Sequence, residues 1–197
     1  MIKKILITLL LGVFTISGIF AYMSPSVILN ATENESQYTF KLQKLNADMT
    51  DYTDIDGGEA VEDVILSEVA QTTNAYTVAT ANKGNLLNNI TFEATVTTGE
   101  FVDSNTSTQT GLYPELIELS DSATTENQNL GSEVVNLESQ TAGDFSSQAI
   151  ATFRTTFDSG LHLIGVEIAR FKLEYKSNGN LAAGSYTSTT TIEISTV

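Results

Sequence analysis

The chain has 197 residues, 41% of them hydrophobic, with nine Lys and Arg against 24 Asp and Glu, and neither Cys nor Trp. A formal charge of −15 excludes nucleic acid as a partner, because phosphate contacts need Lys and Arg in number. With no Cys there is no disulfide framework, so the fold must stabilise itself by burial and hydrogen bonding alone.

In chain order, Lys3 and Lys4 precede an apolar stretch over residues 5–20 that is broken only by Thr8, Gly12, Thr15, Ser17 and Gly18. A basic start followed by such a stretch is the pattern of a secretory signal peptide, with Ala21 as the small residue before the cut. An uncleaved anchor is the rival reading, but the stretch falls short of the roughly 20 apolar residues that a bilayer requires. Residues 1–21 are therefore expected to be a leader and residues 22–197 a single domain, with no membrane span left after cleavage. The expected location is secreted, periplasmic or at the surface of a bacterial cell. The leader holds two lysines and no acid, so the remainder carries seven basic residues against 24 acidic ones, a charge of −17. Lys83 is the only basic residue from Leu45 to Phe153. The main consequence of that bias is a hydrated, self-repelling surface.

Strand patterning then recurs along the chain. Tyr38, Phe40 and Leu42 alternate with Thr39 and Lys41; Ile90, Phe92, Ala94 and Val96 alternate with Thr91, Glu93, Thr95 and Thr97. Such alternation sets one face of a strand toward a core and the other toward water. Further strands are expected over residues 75–80, 134–137, 148–157, 166–175 and 186–195, all rich in Thr, Val, Ile, Tyr and Phe. Residues 59–70 (EAVEDVILSEVA) fit a short helix or an apolar strand through Val64 and Leu66, and both readings stand. Residues 114–119 (PELIEL) fit a helical turn opened by Pro114 or an edge strand. Residues 104–111 and 120–132, dominated by Ser, Thr, Asn and Gln, read as surface loops. Short strands punctuated by turns, without alternating helices, predict an all-β antiparallel sandwich with room for one short helix.

Few motifs carry chemistry. In DYTDIDGGEAVED, residues 51–63, placing Gly57 at the sixth position of a calcium loop sets Asp54 and Asp56 at positions three and five and Asp63 at position twelve. Tyr52 then stands at the first position and Asp63 replaces the longer bidentate Glu, so an acidic Gly-Gly turn is the favoured reading, with calcium as the weaker one. No other cofactor is expected. Asp158-Ser159-Gly160 matches an aspartic-protease triplet, but the mechanism needs two such carboxylates and no second copy exists; a turn is expected. His162 is the only His, and no nucleophile elbow accompanies it. Four Asn-x-Ser/Thr triplets, at Asn30, Asn34, Asn89 and Asn105, are what chance supplies in so Asn- and Thr-rich a chain.

The chain closes on LAAGSYTSTTTIEISTV. Tyr186, Ser188, Thr190, Ile192 and Ile194 share one face, and the preceding Phe171, Leu173 and Tyr175 suggest a terminal β-hairpin. The pattern L-x-A-G-x-Y-T-x-T-x-x-I-x-I over residues 181–196 resembles the closing strand of spore-coat-U-like and other fimbrial subunits of bacteria. Those subunits commonly carry a disulfide, which this chain lacks. The resemblance implies an immunoglobulin-like sandwich exported to the envelope and assembled into a surface polymer by strand exchange. Ser26 to Leu29 (SVIL) would be the donor segment or, in a closed monomer, the first edge strand. The expected function is thus non-enzymatic: a surface, structural or adhesive protein whose partners meet it at sheet edges. A calcium-dependent module for sugar or protein is the alternative, and a glycosidase using an unidentified acidic pair is the weakest reading, the more so without Trp.

Overall fold

The alternation along the chain produces strands because each one can bury its apolar row only against a second sheet. The computed structural model describes residues 26–33, 38–48, 50–56, 60–81, 88–118, 132–138, 143–160, 167–182 and 184–197. The expected leader, His162 and the loop over 120–131 lie outside them.

Thirteen strands are described: β1 (Ser26–Glu33), β2 (Phe40–Leu45), β3 (Tyr52–Ile55), β4 (Ala60–Asp63), β5 (Gln71–Thr72), β6 (Tyr76–Thr80), β7 (Ile90–Thr97), β8 (Val102–Asp103), β9 (Glu115–Glu118), β10 (Ser132–Glu138), β11 (Ile150–Phe157), β12 (Glu167–Tyr175) and β13 (Tyr186–Thr196). Among the described residues there is no helix, and so none long and apolar enough to cross a membrane. The fold is all-β, as its patterning requires. One sheet runs β10-β11-β7-β13-β1-β4, with β8 also on β13; the other runs β3-β2-β6-β12-β5, with β9 also on β12.

The core lies between the sheets. Phe92, Ala94 and Val96 of β7, Phe153 and Phe157 of β11, and Ile192 and Ile194 of β13 are buried with Tyr76 and Val78 of β6 and Phe171 and Leu173 of β12. Phe92 meets Tyr38 and Phe40 from the opposite sheet edge-on, at centroid distances of 5.1 and 5.4 Å. On the far face of β7 the hydroxyls of Thr91 and Thr95 pair with Thr156 and Thr152 of β11, and Arg154 holds Glu93 between them at 2.7 Å. The two faces read from the sequence of β7 are therefore the two faces it has.

Three expectations are refined. Residues 59–70 contain the strand β4 and then an irregular stretch in which Val64 and Leu66 are buried while Ile65 and Val69 are exposed. That two-residue alternation rules out a helical face. Pro114 precedes a strand, β9, paired with β12. The sandwich is antiparallel except where β1 runs parallel to β13.

The terminal hairpin does not form. β12 and β13 lie in different sheets, β12 beside β6, β5 and β9, and β13 beside β7, β1 and β8. Residues 176–185 carry the chain across, through Gly179 at φ 78°, and the hydroxyl of Tyr186 donates to the carbonyl of Ala182 at 2.6 Å to pin the crossing. The Ala-Gly-x-Tyr pattern thus closes a crossover instead of a hairpin turn.

Where β13 passes residues 98–101, the backbones come close. Ser188 donates to the carbonyl of Gly99 at 2.7 Å, and a Cβ at Gly99 would stand 2.2 Å from the carbonyl oxygen of Thr189. Gly99→Ala must push the two segments apart; a loss of about 1–3 kcal/mol is expected in urea unfolding.

Candidate functional site: the slot between β13 and β4

β1 is an interior strand. Eight parallel pairs join it to β13, from Ser26 opposite Thr187 to Glu33 opposite Ile194, and on its other side it meets β4 antiparallel with a register shift after Val27. The strand is longer than SVIL, because Asn30 to Glu33 continue the ladder.

The β13 wall of this slot is small and hydroxylated at one end and aliphatic at the other. The register sets Val27, Leu29 and Ala31 opposite Ser188, Thr190 and Ile192, all three fully buried. Ser188 spends its proton on Gly99, whereas the Thr190 hydroxyl is buried with no hydrogen-bond partner among the described residues. An unmade hydrogen bond in a dry site costs about 1–3 kcal/mol. Thr190→Val keeps the shape and removes the hydroxyl, so thermal and urea melts are expected to show a stabilisation of about 1–2 kcal/mol.

The β4 wall is an edge strand whose only strand partner among the described residues is β1. What fixes it is Glu62. Its carboxylate accepts the Tyr76 hydroxyl at 2.8 Å and the backbone N–H of Asn74 at 3.2 Å, and lies 3.3 Å from the Lys44 ammonium. Lys44 and Tyr76 belong to the opposite sheet, so one side chain ties the two sheets together at the slot. Burial, with the Glu62 carboxylate beside it, pushes the Tyr76 phenol far above its ordinary range, so it stays a donor. Sequence reasoning did not single out Glu62; the available signal was a carboxylate set two residues before buried Val64 in a stretch that alternates.

The residues weighed for calcium are not gathered. Asp54, on exposed β3, pairs with Lys41 at 3.5 Å and accepts from Gln43 at 2.6 Å; Asp56 follows that strand, exposed; Asp63 ends β4 in the other sheet, opposite Ser26. Gly57 lies outside the described residues. Among the described residues no group of three or more His, Asp or Glu could hold a metal ion. Asp158-Ser159-Gly160 is a turn after β11, with Gly160 at φ 89° and the Ser159 N–H donating to Asn89. Asn89 thereby serves the fold, Asn30 lies within β1, Asn34 lies outside the described residues, and Asn105 sits in the exposed turn closed by the Asp103 carboxylate.

The slot is thus the length of a strand, filled by β1 between β13 and β4. No family model, no curated protein and no solved structure matches this chain.

Proposed function

We propose that the protein is an exported, non-enzymatic, immunoglobulin-like β-sandwich of the bacterial cell surface, structural or adhesive in role, that associates with further copies of itself by strand addition. The observation that carries this reading is the position of β1. An N-terminal segment lies in the middle of a sheet, parallel to β13, between two strands that each have a further tie of their own: β13 is paired with β7, and β4 reaches the opposite sheet through Glu62. Such a segment can be exchanged for its equivalent from another copy with every main-chain hydrogen bond replaced in kind. The signal-peptide pattern, the strongly acidic middle of the chain and the hydroxylated outer face of β7 and β11 support the envelope location.

The test compares the purified chain from residue 22 with one that lacks residues 22–35. The full form is expected to give concentration-dependent oligomers in size-exclusion chromatography, and the shortened form to give none. A synthetic peptide of residues 26–33 added during refolding is expected to bind the shortened form and raise its melting temperature, since a ligand of the native state stabilises it. Monomers at all concentrations, with no effect of the peptide, would remove the proposal. The same melts run with calcium against a chelator address the alternative of a calcium-dependent binding module, which requires a rise in melting temperature with the ion.

A further inference from the structure

Three loops from distant parts of the chain line an open pocket of about 260 Å³, built from residues 111–112, 143–146 and 176–178. They are fixed to one another and to the sandwich by main-chain hydrogen bonds: Tyr113 N–H to the Phe145 carbonyl at 2.8 Å, Phe101 N–H to the Leu112 carbonyl at 2.8 Å, and Ser177 N–H to the Ser67 carbonyl at 2.7 Å. Gly111 and Gly143 turn the walls at φ 72° and 82°, in the left-handed region that other residues avoid, and their N–H groups are held by the carboxylates of Glu100 and Glu115. A pocket braced in this way does not have to be ordered when a ligand arrives.

Its floor is apolar and its rim polar. Leu112 and Phe145 are buried at the bottom. On the rim, one oxygen of the Asp144 carboxylate accepts the Ser146 hydroxyl and N–H, which hold this carboxyl below its usual range, while the other has no partner among the described residues. The side-chain oxygen of Asn178 accepts from the Asn180 N–H, and its amide N–H groups have no partner among the described residues. Lys176 makes no ion pair among the described residues, in a chain where Lys41, Lys44, Arg154 and Arg170 all do.

These groups select a ligand by exclusion. With one carboxylate and one ammonium on the rim, the site has no net charge to favour an ion of either sign, and an apolar molecule would strip both groups of water without return. A hydroxyl both donates to Asp144 and accepts from Asn178 or Lys176, so vicinal hydroxyls above an apolar ring face match the rim and the floor together. The volume is below the roughly 300–1,000 Å³ that encloses a drug-sized ligand, which leaves room for one ring. We propose that this pocket binds a single uncharged sugar ring, apolar face down on Leu112 and Phe145, with its hydroxyls shared among Asp144, Asn178 and Lys176. The proposal goes beyond self-association and stands whether or not the chain polymerises.

The test is an amide NMR titration of the purified protein with the methyl glycosides of glucose, mannose, galactose and N-acetylglucosamine. At least one is expected to give saturable shifts confined to residues 111–113, 143–146 and 176–178, with a millimolar Kd. Asp144→Asn and Asn178→Asp, which keep the oxygens that accept from Ser146 and Asn180 and so keep the turns, are each expected to weaken that binding about tenfold or more, because each replaces the group that faces the ligand. Methyl glucuronide is expected to bind more weakly than methyl glucoside. No shifts with any of the four, shifts that survive both substitutions, or tighter binding of the glucuronide would each overturn the assignment.

Discussion

Phe92→Ala is expected to remove about 3–5 kcal/mol of stability, seen as a fall in the urea midpoint at nearly unchanged slope. Phe92 is fully buried on β7, and its ring is the point where the sheets interlock: Tyr38 and Phe40 reach it edge-on from the other sheet, and Phe157 lies beside it at 5.8 Å. Truncation opens a cavity between groups fixed to two separate backbones, so little of it can close by relaxation. Val69→Ala serves as the control. That side chain is 72% exposed, and the change is expected to stay within about 0.5 kcal/mol. A similar loss at both positions would mean that the core is not where the patterning and the packing put it.

Glu62→Ala is expected to cost about 2–4 kcal/mol, more than an ordinary surface ion pair, because it takes an acceptor from three groups at once. The Tyr76 hydroxyl, the Asn74 N–H and the Lys44 ammonium lose a shared acceptor in a place where the carboxylate is only 17% exposed. Glu62→Gln, which keeps one acceptor and the shape, is expected to cost less. Amide hydrogen exchange makes the role specific. Exchange in β4 and β1 is expected to accelerate in the Ala variant beyond that in β7 and β11, because the clasp holds one wall of the slot and not the whole core. Uniform acceleration would make Glu62 an ordinary contributor to global stability.

What the sequence discloses is the face of each residue, and what it hides is the neighbour. β7 and β13 could be read almost residue by residue, since a strand with one buried side writes its orientation into every second position. The same alternation is silent on which strand lies alongside. Phe171, Leu173 and Tyr175 alternate in register with a neighbour of either sheet, so the expected hairpin between β12 and β13 was as consistent with the pattern as the crossover that occurs. Short strands such as β5 and β8, two residues each, carry too little pattern to be legible. The slot was half legible. Ser26 to Leu29 stood out as a strand, but its extension through Asn30, Ala31 and Thr32 lacks the apolar signal, and its parallel partner lies at the other end of the chain. Glu62 was hidden because a carboxylate on a strand reads as solvent-facing until the partners that receive it are known.

β12 and β13 are each the hub of their sheet, and both lie at the C-terminal end of the sequence. During synthesis the earlier segments can pair among themselves as β3-β2-β6 and, later, as β10-β11-β7, but β1 waits for the strand it runs parallel to. Neither layer of the sandwich can be completed until these two hubs arrive, and the long sequence separations between partners slow that step further. The order of strands along the chain thus acts as a built-in delay on closing the two layers over each other.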